Sequence, residues 1–348
     1  MSKPYGLCAD LHCNNWTAFA TIDAKGRNSR LIETLAELDR CADEVLKAGG
    51  EDLIIAGDLF HVRGVVTPSV FNLVRDCLAR IRQRGVLISG IPGNHDLAGK
   101  DSDALCSAVQ MLNQSGAVNF VHKVRFEDGL VLVPWQRDLP TLRAELDQID
   151  FRDELDLIIH RGIDGTLSHM PTTGFTAEFL ADYGFRRVWA GDYHHMKEFG
   201  RGVFSIGALT HQTWSDVGTK AGFWIVHDDR QQWFASRAPQ FLDLVDLADP
   251  DSVDLDELAL DVDGNYVRAK IGEADASAVA EWRRQLLAIG AKGVLIQALP
   301  ASVGEKREGV SAKSLLTLDK SVMDYVTEKK HNVRVGEICA EILTEIAA

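Results

Sequence analysis

The chain has no Cys-x-x-Cys pair, no internal repeat, no low-complexity segment and no apolar run long enough to span a bilayer. The last absence excludes a membrane-spanning helix. Six cysteines at 8, 13, 41, 77, 106 and 339 lie scattered through apparent elements. That pattern suits reduced thiols in a cytosolic compartment better than a disulfide framework. The start, Met-Ser-Lys-Pro, leads at once into Tyr5 and leaves no room for a signal peptide, so a cytoplasmic location is expected. Positive charge is scarce too. A net charge of −14 argues against a broad, non-specific grip on nucleic acid. The shortage is greatest over residues 243–263, where nine carboxylates meet no Lys or Arg. With Pro250, this stretch reads as an acidic surface linker over 241–264.

With 348 residues, the chain can hold one large domain and an appendage, or two domains. Short apolar runs at 5–9, 53–56, 86–91, 156–160 and 187–190 read as buried strands. Helical spacing marks 29–47, with Leu31, Leu35, Leu38, Ala42 and Val45 on one face and Gly49-Gly50 as the stop. Thr67-Pro68 opens a second helix that runs to Arg84, and a third spans 102–112. Short strands follow at 118–121, 123–126 and 130–133, then at 203–206, 223–226 and 233–235. Beyond the acidic stretch, strands at 266–271 and 294–298 around a helix at 274–289 form a small α/β module. A polar segment at 302–314 and two amphipathic helices at 319–330 and 335–346 close the chain. The expected division is 1–240, a linker at 241–264 and a module at 265–348.

Five strand ends deliver residues suited to metals: Asp10-x-His12, Gly57-Asp58-x-x-His61, Gly93-Asn94-His95-Asp96, His160-Arg161-Gly162 and Gly191-Asp192-Tyr193-His194. In an extended stretch, residues two apart point the same way, so Asp10 and His12 can address one ion, and Asp192 and His194 fall on one side. Gly57 permits a tight turn that projects Asp58 into a crevice, and a carboxylate there can bridge two ions. Asn94 offers a neutral amide oxygen. Oxygen and imidazole donors without thiolate suit Mn²⁺ first, with Mg²⁺, Fe or Zn²⁺ as alternatives. Each fragment alone is an ordinary turn, cap or core histidine. Their joint occurrence, each after an apolar strand, points to two-metal hydrolysis.

This set resembles the calcineurin-like metallophosphoesterase superfamily. Gly57-Asp58-Leu59-Phe60-His61 followed by Thr67-Pro68-Ser69 resembles its SbcD-type DNA-repair and recombination nuclease branch, which includes phage proteins. The resemblance covers about residues 5–237. It implies an α+β fold: a four-layer α/β/β/α sandwich of two sheets flanked by helices, with a smaller C-terminal α/β module. It also implies one metal on Asp10, His12, Asp58 and His194, and a second on Asp58, Asn94, His160 and Asp192. His95 would act at the scissile phosphate and His61 would orient the nucleotide. The sequence departs from the family at Asp192, where a histidine is usual, and His195 follows directly. Residues 207–214 resemble a family loop whose His211 or Trp214 would line the substrate cleft. The function implied is a phosphodiesterase acting on DNA, as an exonuclease or endonuclease, with an SMC-like ATPase and a second copy of the chain as partners. The alternative is a phosphatase or phosphodiesterase on small or protein substrates; Gly93-Asn94-His95-Asp96, where phosphoprotein phosphatases carry Gly-Asn-His-Glu, counts against it.

Overall fold

The structure is a computed structural model that describes residues 3–299, apart from 100, 101, 103, 169, 248–252, 274 and 275. The N-terminal half alternates strand and helix: β1 (Tyr5–Cys8), α1 (Ser29–Lys47), β2 (Asp52–Ala56), α2 (Pro68–Gln83), β3 (Leu87–Ile91), α3 (Ser107–Gln114) and β4 (Asn119–Phe120). Then come β5 (Arg125–Glu127), β6 (Leu130–Val133), α4 (Leu139–Asp147), β7 (Asp156–His160), α5 (Ala177–Asp182) and β8 (Arg187–Gly191). They are followed by β9 (Lys197–Gly200), β10 (Val203–Ser205), β11 (Gly222–Val226) and β12 (Gln231–Ala235). These strands form two six-stranded sheets, ordered β12-β11-β1-β2-β3-β4 and β5-β6-β7-β8-β10-β9.

Alternation along the strands sets the layers, because successive side chains face opposite sides of a sheet. In β1, Leu7 faces the second sheet while Cys8 faces the helices. Tyr5, Leu7, Ile54 and Ile91 of the first sheet meet Leu130, Leu132, Ile158 and Trp189 of the second in a central core. Outside the first sheet, Leu31, Leu35 and Leu38 of α1 and Val74 and Leu78 of α2 cover Leu53, Ile55 and Ile88. Outside the second, Leu142 and Leu146 of α4 and Leu180 of α5 cover Val131, Leu157 and Val188. The result is the expected α/β/β/α sandwich. Helices α4 and α5 are additions that the sequence reading does not contain.

β1, β2 and β3 pair in parallel, as do β6, β7 and β8, so their C-terminal ends gather at one end of the sandwich. At the opposite end the sheets are joined by buried charge. Asp156 accepts hydrogen bonds from Tyr5 Oη at 2.7 Å, Arg186 Nε at 2.8 Å and Arg187 Nε at 3.0 Å.

The acidic stretch expected as a linker over 241–264 holds a strand, β13 (Phe241–Leu247), and a helix, α6 (Leu255–Val262). Phe241 is buried and Asp243 pairs with Arg268 and Lys270, so apolar contact and charge pairing hold a segment that composition alone presents as solvated. With β14 (Tyr266–Glu273), α7 (Ala276–Ala288) and β15 (Gly293–Leu299), it forms a parallel sheet ordered β13-β14-β15. This module packs with the two large sheets as one unit that ends at Leu299. The expected segments at 302–314, 319–330 and 335–346 lie outside the described residues. Among the described residues no helix is long and apolar enough to cross a membrane.

Candidate metal centre

The loops after β1, β2, β3, β7 and β8 carry all five motifs to the common end of the sandwich. Beyond β1 the backbone ladder continues: the Asp10 amide donates to Gly57 O at 3.1 Å and the His12 amide to Asp58 O at 2.9 Å. This tie holds the two loops in register. Asp10 and His12 do converge, but not through an extended pleat. Both have left-handed backbone, with φ of 52° and 43°, as do Asp58 at 53° and Asp192 at 89°. Four of the eight non-glycine residues in this region, among those described, are thus candidate ligands. Such strain persists only where surrounding contacts over-determine it, and it concentrates at functional sites.

Donor atoms of Asp10, His12 and His194 lie within 4.8 Å of one another, as do those of Asp10, Asp58 and His160. Asp58 stands between the groups: its Oδ2 is 3.5 Å from His12 Nε2 and 3.5 Å from His160 Nε2. Two glycines make room for this arrangement. A Cβ at Gly57 would lie 2.1 Å from His160 Nδ1, and one at Gly93 would lie 2.1 Å from Asp58 Oδ1.

The ligating tautomers are set by second contacts, as is usual for metal-binding histidines. His160 Nδ1 donates to Ala56 O at 2.8 Å, which leaves Nε2 facing Asp58 and Asp10. His194 Nδ1 bonds Asp216 Oδ1 at 2.7 Å. Asp216, which the sequence reading missed, sits in a capping box with Thr213 and also accepts the Gln212 amide. Its only sequence signal is the Thr213-x-x-Asp216 spacing. Asp96 is equally structural: its carboxylate accepts the amides of Leu59, Phe60 and Gly93 and joins two of the loops.

Three donors in this cluster are buried without a hydrogen-bond partner: Asp10 Oδ1, Asn94 Oδ1 and His160 Nε2. Buried polar atoms normally find partners, and bound cations would supply them. Charge argues the same way. Burial pushes the Asp10 carboxyl up, His160 and His194 pull it back, and it settles at about 7. Burial likewise opposes charge on Asp58, yet the imidazoles of His160, His12 and His95 hold it well below the usual carboxylate range. His194 is opposed by burial, but its bond to Asp216 and the Asp10 charge hold it up at about 9. Protonated imidazoles thus offset carboxylates here, a balance that divalent ions would take over. Burial lowers His12, which keeps it neutral as a ligand must be.

The remaining candidates fall into place around this cluster. His95 donates its amide to Asp58 Oδ1 at 2.9 Å and its Nδ1–H to His61 O at 2.5 Å. His61 Nδ1 faces His12 Nδ1 at 3.3 Å, and its ring lies 4.5 Å from that of Trp16. Asn94 is fixed by Arg63, whose Nε donates to the Asn94 carbonyl at 2.9 Å. Asp192 does not share a strand face with His194, because β8 ends at Gly191. Its Oδ2 accepts the Gly162 amide at 2.9 Å, while Oδ1 is 4.0 Å from His160 Nε2. His195 points elsewhere, with Nδ1 accepting the Lys220 amide at 3.0 Å.

His211 and Trp214 lie against the three-stranded module. His211 is buried, with Nδ1 accepting the Phe241 amide at 3.1 Å and Nε2 facing Thr219 O at 3.2 Å. Backbone groups occupy both ring nitrogens. Trp214 packs edge-on against Phe241 at 4.8 Å and under Arg268. Both take part in the contact with the three-stranded module.

Exonuclease subunit 1 of Enterobacteria phage T4 is 26% identical over 182 residues, which are 51% of this chain. They are also 52% of the phage protein, so the chain spans about half the length of this curated relative. Among solved structures, Pseudomonas putida nuclease MPE is 16% identical with a TM-score of 0.29, over 66% of this chain and 87% of that one. A dimetal phosphatase from Danio rerio is 11% identical with a TM-score of 0.36, over 67% and 96% of the two chains. The sequence profile of the calcineurin-like phosphoesterases matches residues 3–196, from the first strand through the last of the five motifs. Since that is more than half of its length, the chain belongs to the calcineurin-like phosphoesterase family.

Proposed function

We propose that this chain is a two-metal phosphodiesterase that cuts DNA. The observation that carries the metal reading is the set of unpaired buried donors, Asp10 Oδ1 and His160 Nε2 beside Asp58, with Asn94 Oδ1 likewise unpaired on the loop after β3. One ion would be held by Asp10, His12, Asp58 and His194, the other by Asp58, Asn94, His160 and Asp192. The oxygen and imidazole donors suit Mn²⁺. When bound, two such ions neutralise phosphoryl oxygens and acidify water.

The protein's own groups hold the reacting atoms around them. His95 is fixed at two points, by its amide on Asp58 and its Nδ1–H on His61 O, which leaves Nε2 as the ring nitrogen for the reaction. That nitrogen delivers a proton to the leaving oxygen. His61, flanked by His12 and Trp16, orients the nucleotide. DNA as the substrate is supported by the exonuclease named among the relatives. An SMC-like ATPase partner belongs to the same proposal.

The test is a substrate panel in Mn²⁺: linear duplex DNA, single strands, an aryl phosphodiester and an aryl monoester. Cleavage of DNA and of the diester is expected, with chelation abolishing it and Mn²⁺ restoring it. Monoester hydrolysis with no DNA cleaved would overturn the nuclease reading.

Asp192 has its own test. Asp192→Ala is expected to reduce bound Mn²⁺ from two ions to one, and Asp192→His to restore the second, because either donor can reach the His160 side of the site. Two ions still tightly held in Asp192→Ala would leave Asp192 as no more than the acceptor for the Gly162 amide.

A further inference from the structure

The loop after the first motif is pinned to the three-stranded module. Phe19 stacks on Tyr266 of β14 at 5.3 Å and lies edge-on to Trp214 at 5.9 Å. A Cβ at Gly293 of β15 would strike the Phe19 ring at 2.3 Å, which shows how closely that ring approaches the module. Beside this cluster, in the first turn of α1, is Arg30, only 4% exposed. Its guanidinium carbon lies 5.0 Å from the ring centre of Trp16, 5.1 Å from Phe241 and 5.5 Å from Tyr266. A buried guanidinium needs several partners to offset its lost hydration. Arg30 finds them in these rings and in two carbonyls, Ala18 O at 3.3 Å and Gln212 O at 2.5 Å.

Two routes lead from Arg30 to candidate ligands. Gln212, whose carbonyl Arg30 holds, donates Nε2 to the Asp10 carbonyl at 2.6 Å. Trp16, on which Arg30 rests, packs on His61, and His61 Nδ1 meets His12 Nδ1. Asp10 and His12 are left-handed, as is Phe19 further along the same connection, so their backbone depends on outside restraint. We infer that Arg30 is a positioning residue through which the docked three-stranded module fixes the ligands Asp10 and His12. This rests on the metal reading above. Its consequence is that metal affinity, and not stability alone, depends on a residue that touches no ligand side chain.

The experiment is Mn²⁺ titration of the full chain, followed by electron paramagnetic resonance of the free ion, alongside thermal melts without metal. Parent, Arg30→Met, Gln212→Met, Trp16→Leu and the Arg30→Met/Gln212→Met double variant are compared. Arg30→Met and Gln212→Met are each expected to weaken Mn²⁺ binding by about tenfold or more, the range seen when groups supporting a ligand are removed. The double variant should lose less than the product of the two, as members of one chain of contacts do. A lower melting temperature in Arg30→Met with Mn²⁺ affinity unchanged would overturn the inference and leave Arg30 as glue for the module. Should Arg30→Met fail to fold, unchanged affinity in both Gln212→Met and Trp16→Leu would overturn it equally. A parent chain that binds no Mn²⁺ would overturn the metal reading itself, and the parent titration shows this before any variant is compared.

Discussion

Asp58→Ala is expected to empty both metal positions and abolish phosphodiester cleavage while the fold persists. One Asp58 oxygen faces histidines of both groups, His12 and His160, at 3.5 Å, nearer than Asp10 Oδ1, which lies 4.0 Å from each. Removing Asp58 takes away the one donor shared by both proposed ions, so neither keeps its coordination. Metal analysis should fall from two Mn²⁺ per chain to none, with the circular dichroism spectrum unchanged. Retention of both ions would show that Asp58 bridges nothing. The fold should survive because β2 ends at Ala56, and the ladder from its loop to the Asp10 loop uses the backbone of residues 57 and 58.

The second large effect separates proton transfer from metal binding. His95→Ala is expected to keep both ions and lose about 10²–10⁴ in rate, the range for general acid–base help. The split follows from geometry: the His95 amide bonds Asp58, and alanine keeps that amide, while the lost ring had its Nδ1–H on a carbonyl. The loss should shrink for an aryl diester with an acidic phenol, since such a leaving group departs without a proton. It should be largest for DNA, whose leaving alkoxide needs one. Loss of the ions in step with activity would instead make His95 a ligand.

Much of this site is legible in the chain itself. Apolar strands that end in Gly-Asp, Gly-Asn-His or His-Arg-Gly mark where a parallel sheet presents its C-terminal edge, and β2, β3, β7 and β8 end there. Regular geometry does not hold throughout the site. Spacing by two places Asp10 beside His12 only in an extended chain, whereas left-handed turns do so here. Asp216 was hidden because a carboxylate that supports a histidine twenty-two residues away leaves no local pattern. The contacts of His211 and Trp214 with a neighbouring sheet were not legible, because a histidine and a tryptophan after a metal motif leave no pattern that marks such a partner. β13 and α6 were masked by charge. The carboxylates dominate the composition, while the partners that compensate one of them, Arg268 and Lys270 around Asp243, lie more than twenty residues further on.

The two ends of the sandwich have opposite characters. At one, Asp156 is fully paired with Tyr5, Arg186 and Arg187, and removing one partner of such a buried pair costs about 3–5 kcal/mol. At the other, Asp10, Asp58 and Asp192 crowd like charges on left-handed backbone, each such residue costing on the order of 1–3 kcal/mol. Stability and chemistry are therefore housed apart. A copy of this gene kept for its fold alone could change the candidate ligands without losing stability. Its descendants would keep Tyr5, Asp156, Arg186 and Arg187, and their loss of activity would be written at positions 10, 58 and 192. Among related chains, an intact far end beside a relaxed metal end would mark the ones that have become scaffolds.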